Sequence, residues 1–271
     1  MLKSLCTFSL LLVSLAAHPE LRAGAAKASI VPPFPVHMGG FGDRMKHFEG
    51  VHDDLFARAL VLENDELAVI FVATDLMALD KKLVEQARAK ITKETSVPRE
   101  HILISCAHNH SAPSYYQFEE DADQQKTRDF FAEQFAAAAI EAWEARRPAR
   151  IGYANGEVKG ATRNRQQGNE TVIDTQLGVL RVEEPETRAV IATLFNFTGH
   201  PVILGSDNLQ LSGEFPGAAS RTVEQVLGGV ALFTQGACGD ITVHRSGDPW
   251  LEIERLGRLI GGEVIATAES I

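Results

Sequence analysis

Cysteine is scarce in this chain, with three among 271 residues. Cys6 falls in the N-terminal stretch, which leaves Cys106 and Cys238. Two thiols exclude a disulfide framework; they either pair with each other or sit as free thiols at buried strand ends. Basic charge is not in excess either. The formal net charge is −10, and that balance argues against nucleic acid as a partner. Beyond the N-terminal stretch no run is long and apolar enough to span a bilayer, which takes about 20 residues. There is no internal repeat and no low-complexity linker. The length and a hydrophobic share of 45% suit one large domain or two small ones with a sizeable core. The glycine-rich segment Pro35-Val36-His37-Met38-Gly39-Gly40-Phe41-Gly42 lacks the spacing of a dinucleotide or phosphate loop and reads as a plain tight loop.

What is present begins with a leader-like start. Lys3, an apolar stretch over residues 8–17 and small residues at Ala16, Ala17 and Ala23 match a secretory signal over residues 1–24. The expected location is secreted or periplasmic, with the mature chain starting near Ala25.

Short strands are expected at residues 28–33 and 58–63. Residues 67–73 are almost wholly apolar, as in a strand covered on both faces. Leu83, Val84, Ala87 and Ile91 then recur at helical spacing, Pro98 ends the helix, and Ile102-Leu103-Ile104 reads as a second buried strand. Such a β–α–β unit makes two parallel strands ending on one edge. Further strands are expected at 150–158, 177–182, 189–197 and 230–234. Helices are expected at 127–147, from a segment 211–217 that opens a helix running to about 226, and from about 249 to the chain end. Residues 114–126 read as a polar surface loop or lid, and 160–165 as a basic loop.

Titratable residues stand where the apolar strands end: Asp75, His108 with His110, His200 and Asp240. On an extended backbone residues i and i+2 point the same way, so His108 and His110 would face one side. Imidazole is the commonest metal ligand. Four such strand ends suggest one rim carrying a metal or acid–base site. The plainer alternative is that they are strand caps and turn formers.

These residues resemble the neutral, non-lysosomal ceramidases. The resemblance rests on Gly50-Val51-His52-Asp53 with Ala57-Arg58-Ala59, Ala107-His108-Asn109-His110-Ser111-Ala112-Pro113, Asn164-Arg165, Gly199-His200-Pro201 and Gln235-Gly236-Ala237-Cys238-Gly239-Asp240-Ile241-Thr242. It runs in order from about Ala25 and implies an α/β fold: a layered β-sheet core, partly parallel, flanked by α-helices, with residues 25–271 forming a catalytic domain. It implies Zn2+ held by His108 and His200. His110 would meet the substrate carbonyl, assisted by Arg165 or its neighbour Arg163. Thr242 takes the place of a family serine treated as catalytic, in a run where relatives carry Asp-Val-Ser-Pro-Asn. Glu214 stands where relatives usually have aspartate. The family's other zinc ligands, a glutamate and a tyrosine, lie beyond the point matching Ile271, so the chain reads as a fragment or a shortened relative. Asp75 is the conceivable substitute ligand, or a carboxylate that orients a histidine.

The implied activity is zinc-dependent hydrolysis of the N-acyl amide of a ceramide-like lipid or related acylated compound. Peripheral contact with a membrane surface fits such a substrate. Phe41, Phe48, Tyr115, Tyr116 and Phe118 could line an apolar cleft, or simply pack. A metal-dependent ester or phosphoester hydrolase and a truncated non-catalytic relative are the alternatives.

Overall fold

The computed structural model describes residues 20–114, 122–166, 168 and 172–271; the side chain of residue 122 is excluded. The expected leader lies largely outside these residues, as do Tyr115, Tyr116 and Phe118. The first half contains β1 (Arg22–Ser29), β2 (Gly50–Val51), β3 (Phe56–Glu63), β4 (Ala68–Thr74), α1 (Lys81–Thr95), β5 (Ile102–Cys106) and α2 (Ala122–Glu144). The second contains β6 (Arg147–Pro148), β7 (Arg150–Glu157), β8 (Thr162–Asn164), β9 (Gln176–Glu183), β10 (Val190–Phe197), β11 (Gln210–Leu211), α3 (Glu214–Leu227), β12 (Val230–Gln235), β13 (Ile241–Val243) and α4 (Pro249–Glu269).

Two sheets form the centre. One has the order β5-β4-β3-β1-β6, the other β12-β10-β9-β7. They stack through small and branched residues, with Ala23, Leu60, Ala192 and Leu232 fully buried between them. Helices α1 and α2 cover the outer face of the first sheet, where Leu83, Ile91, Phe131 and Phe135 are buried. Helices α3 and α4 cover the second, where Phe195, Phe215, Leu256 and Ile260 are buried. The result is four layers, helix–sheet–sheet–helix. It has the expected architecture, because strands buried on both faces must be almost continuously apolar.

Local chemistry sets the helix ends. Asp80 caps α1 by accepting from the Leu83 amide at 2.7 Å, and Leu83, Ala87 and Ile91 form its buried stripe. Asp248 caps α4 by accepting from Trp250 and Leu251, ahead of Pro249 in the first turn. Gly257 of α4 lets α3 approach so closely that a Cβ there would sit 2.4 Å from Ala218 Cβ.

Each sheet contains one parallel pair, β4 with β5 and β10 with β12. The strand ends carrying Asp75, His108, His200 and Asp240 therefore come from two parallel pairs in facing sheets. Several details differ from the sequence reading. β1 begins at Arg22, ahead of the expected mature start, and pairs with β3 along its whole length. Helix α2 starts at Ala122, inside the stretch read as a loop. The basic loop at 160–165 contains β8, which pairs antiparallel with β13. Three-residue strands carry no usable periodicity, so their pairing is a tertiary fact.

Asp75 does not meet a histidine. Its carboxylate takes two 2.8 Å bonds from Arg58 Nη1 and one from the Phe56 amide. The two side chains are 3% and 5% exposed, so the bridge lies inside the fold and joins β3 to the end of β4. Removing Asp75 leaves the buried guanidinium only the longer Glu224 contact at 3.7 Å, and breaking such a buried pair costs about 3–5 kcal/mol. Asp75→Ala is therefore expected to lower unfolding stability by that amount in urea titration; a loss under about 1 kcal/mol would contradict the assignment.

Candidate metal centre

Strand β5 ends at Cys106, and the chain does not continue extended. His108 takes a left-handed backbone with φ of 61°, a conformation that costs a non-glycine residue of order 1–3 kcal/mol and gathers at functional sites. Strand alternation is thus not what brings His108 and His110 together. The turn does, with ring centroids 5.0 Å apart.

His200 joins them from the other sheet. It follows β10, and its amide donates to Ile241 O at 3.0 Å. It also bridges in parallel to Thr242 of β13. Its ring centroid lies 4.6 Å from that of His108 and 4.8 Å from that of His110. Three imidazoles separated by up to 92 positions in the chain (108 to 200) thus share one site.

Main-chain carbonyls orient two of these rings. His108 Nδ1 lies 3.0 Å from Met77 O, and His200 Nδ1 lies 3.1 Å from Cys238 O. A carbonyl only accepts, so both Nδ1 atoms carry the proton, and in the neutral rings both Nε2 atoms present a lone pair. Those lone pairs point inward. His110 Nε2 is 3.0 Å from His200 Nε2 and 3.4 Å from His108 Nε2. A backbone carbonyl behind the ligating ring is the usual way to fix tautomer and direction at a metal.

His110 is held by the glycine-rich loop. Gly40 has φ of 102°, and a Cβ there would sit 2.3 Å from His110 Nδ1, so no larger residue fits without moving the ring. Phe41 packs edge-on against the same ring at 5.3 Å. Arg44, almost fully buried, donates to His110 O at 2.6 Å. Burial, with the fields of His200, His108 and Arg44, pushes the His110 pKa down to about 3. His200 is also lowered, chiefly by burial. Both rings are therefore neutral at ordinary pH, the state that a metal requires.

The third donor was not assigned from sequence. Cys238 Sγ, His108 and His200 offer ligand atoms within 4.8 Å of one another. Bonds of about 2.0–2.3 Å would place the corners of a tetrahedral site roughly 3.3–3.8 Å apart, so the set lies within about 1 Å of that spacing. Cys106 and Cys238 are both free. The signal for Cys238 lay in its place after a strand end, and only the tertiary fold brings it to the histidines. Two histidines with their Nε2 atoms turned inward and a thiol on one side fit a divalent cation.

Arg165 and Thr242 border this cluster without joining the donors. Arg165 reaches Gly239 O, and its amide donates to Asp240 O at 2.8 Å. Asp240 itself accepts from Asn164 Nδ2 at 2.8 Å, so its carboxylate braces β8 against the β12–β13 turn. Thr242 is buried opposite Arg163. Of the aromatic residues read as a cleft lining, Phe41 packs on His110 and Phe48 on the first core.

A four-layer fold brings to its facing strand ends a histidine and thiol set that could hold a metal ion. Residues 22–249 match the family described as neutral/alkaline non-lysosomal ceramidase, N-terminal, and the chain belongs to that family. It is similar to the neutral ceramidase of Pseudomonas aeruginosa, with 26% identity over 253 residues, covering 82% of this chain and 37% of that protein. The crystal structure of the Pseudomonas aeruginosa neutral ceramidase has the same fold, at a TM-score of 0.84 with 22% identity over 93% of this chain and 45% of that one. A ceramidase complexed with C2 superposes at 0.82, also with 22% identity, over 93% and 44% of the two chains. The chain spans less than half the length of these relatives.

Glu214 stands behind the site, fully buried at the start of α3 with φ of 53°. It accepts from the Leu204 amide at 3.0 Å and so ties down the segment after His200. Burial raises its pKa to about 7. Between about 4.5 and 7 the folded chain therefore holds a proton that the unfolded chain has released, and this stabilisation fades as pH rises through 7. Glu214→Gln keeps the acceptor and does not titrate. The variant is expected to be more stable than the wild type at pH 8 than at pH 5, by on the order of 2–3 kcal/mol in relative terms, in denaturant titrations at equal metal content. An unchanged difference would refute the buried acid.

Proposed function

We propose that the chain carries the core of a zinc-dependent amidohydrolase. It would cleave the N-acyl amide of a ceramide-like lipid or a related acylated compound. The observation that supports this best is the convergence of His108 and His200, each with its Nδ1 proton committed to a carbonyl, beside the Cys238 thiol. Membership of the ceramidase family supports the amide as the bond attacked.

In this reading His108, His200 and Cys238 hold the ion, with Asp75 left out because Arg58 and the Phe56 amide take its carboxylate. Zinc in such a site supplies Lewis acidity and a water of lowered pKa. His110, neutral and fixed by Gly40 and Phe41, offers a ring nitrogen to the substrate oxygen or to a proton in transit. Arg165, exposed at the rim, supplies positive charge where negative charge develops on the carbonyl oxygen. Thr242 of β13, bridged by its backbone to His200, holds the position from which a hydroxyl could take part. Export is part of the proposal, supported by the leader-like residues 1–24. None of the described helices is long and apolar enough to cross a membrane.

Purified protein is expected to hold close to one zinc per chain by mass spectrometry and to lose N-acyl amide hydrolysis in chelator. His108→Ala should abolish both the zinc and the turnover. Zinc-free protein, or full amide turnover by His108→Ala, would overturn the proposal. Ester or phosphoester cleavage in place of amide cleavage would redirect it to the other hydrolase class.

A further inference from the structure

Beside the histidines lies a cleft of about 370 Å³ whose wall includes Arg163, Arg165, Thr242, His244 and Arg245. All but Thr242 are exposed. The pairing of β8 with β13 builds it: Arg163 sits opposite Thr242 in the register, and the His244 amide closes the end by donating to Ala161 O at 2.9 Å. The cleft borders the candidate metal centre, because Thr242 lines it and its backbone also bridges to His200. The fields of Arg165 and Arg245 are felt at the His200 ring.

Three guanidinium groups in one cleft are unexpected in a chain of net charge −10. Like charges repel unless something neutralises them. The neighbouring carboxylates are engaged elsewhere: Asp240 with Asn164, and Glu252 with Arg255 and Ser246. Glu214, which also feels Arg245, is sealed in the core and raised to about 7. No carboxylate among the described residues makes an ion pair with Arg163, Arg165 or Arg245. Arginine forks match the oxygens of phosphate, sulfate and sulfonate, with two bonds per guanidinium.

We propose that this cleft binds an anionic oxyacid group on the amine half of the substrate, so that the preferred substrates are N-acyl amides bearing a phosphate, sulfate or sulfonate close to the scissile bond. The acyl half of such a molecule is apolar and has no use for a polar cleft, which assigns the anion to the amine side. This inference rests on the amidohydrolase reading for the reaction, though not for the binding.

Two measurements on the zinc-loaded chain separate the two. In the first, calorimetry compares 2-hydroxyethanesulfonate and glycerol 3-phosphate with glycerol; none contains an amide. Both anions are expected to bind at least about tenfold more tightly than glycerol, and less tightly as salt rises. Arg245→Ala and the double variant His244→Asn/Arg245→Ala should bring both within about threefold of glycerol. The sulfonate is included because it is a poor metal ligand; tight binding by the phosphate alone that survives both variants would mean contact with the zinc, and would overturn the proposal. In the second, hydrolysis of N-octanoyl-taurine is compared with that of N-octanoyl-ethanolamine. A kcat/KM at least about tenfold higher for the taurine amide, lost in the Arg245 variants, is expected. Equal or faster turnover of the neutral amide overturns the proposal. Arginine-dependent anion binding without hydrolysis of either amide overturns the amidohydrolase reading and leaves the anion site standing.

Discussion

Two imidazole nitrogens, of His200 and His108, at 3.0 and 3.4 Å from the Nε2 of His110 are an electrostatic demand on this protein. Two of the rings donate their Nδ1 hydrogens to Met77 O and Cys238 O, so in the neutral form their inward nitrogens carry lone pairs. Only one proton, or one cation, can reconcile the three. The rest of the structure can be understood as what holds them there. His108 adopts a left-handed backbone, Gly40 gives up a side chain, and Arg44 is buried to hold the carbonyl of His110. None of these arrangements is favourable by itself. Each requires surroundings that over-determine it, and two stacked sheets backed by helices provide them.

The division of labour among charges follows from depth. Arg58 and Asp75, sealed between strands, serve the fold and are removed from chemistry by their own pairing. Glu214 is fully buried, and the burial outweighs the field of Arg245 and raises its pKa to about 7. Arg163, Arg165 and Arg245 stand at the rim, where solvent tolerates unpaired charge and an incoming anion can replace it. The same residue type thus carries different roles in one small region, decided by the dielectric around it.

Much of the framework was legible in the sequence. Apolar runs located the long strands, and the spacing of Leu83, Ala87 and Ile91 located α1. The start of α4 falls at about Pro249 by sequence, and the structure adds the Asp248 cap ahead of it. The coincidence of His108, His200 and Asp240 with strand ends pointed to one rim. What could not be read was whatever depends on pairing at a distance. Strands β8 and β13 are three residues each, too short for any period, yet their register sets Arg163 against Thr242. The positive φ of His108 carried no glycine to announce it. Asp75 looked like a ligand because a carboxylate at a strand end is ambiguous until its partner, 17 positions away, is known. Cys238 could be read as a disulfide partner or as a free thiol at a strand end, for the same reason.

The histidine cluster is assembled from both halves of the molecule. His108 and His110 come with the sheet built first along the chain, His200 and Cys238 with the second. An ion held by His108, His200 and Cys238 would also be a clasp between the two layers, so its affinity and the docking of those layers would be linked by mass action. Stripping the cation would then loosen the seam between the sheets before it disturbed either hydrophobic centre. A chain nicked in the stretch joining the halves should need the ion to stay in one piece.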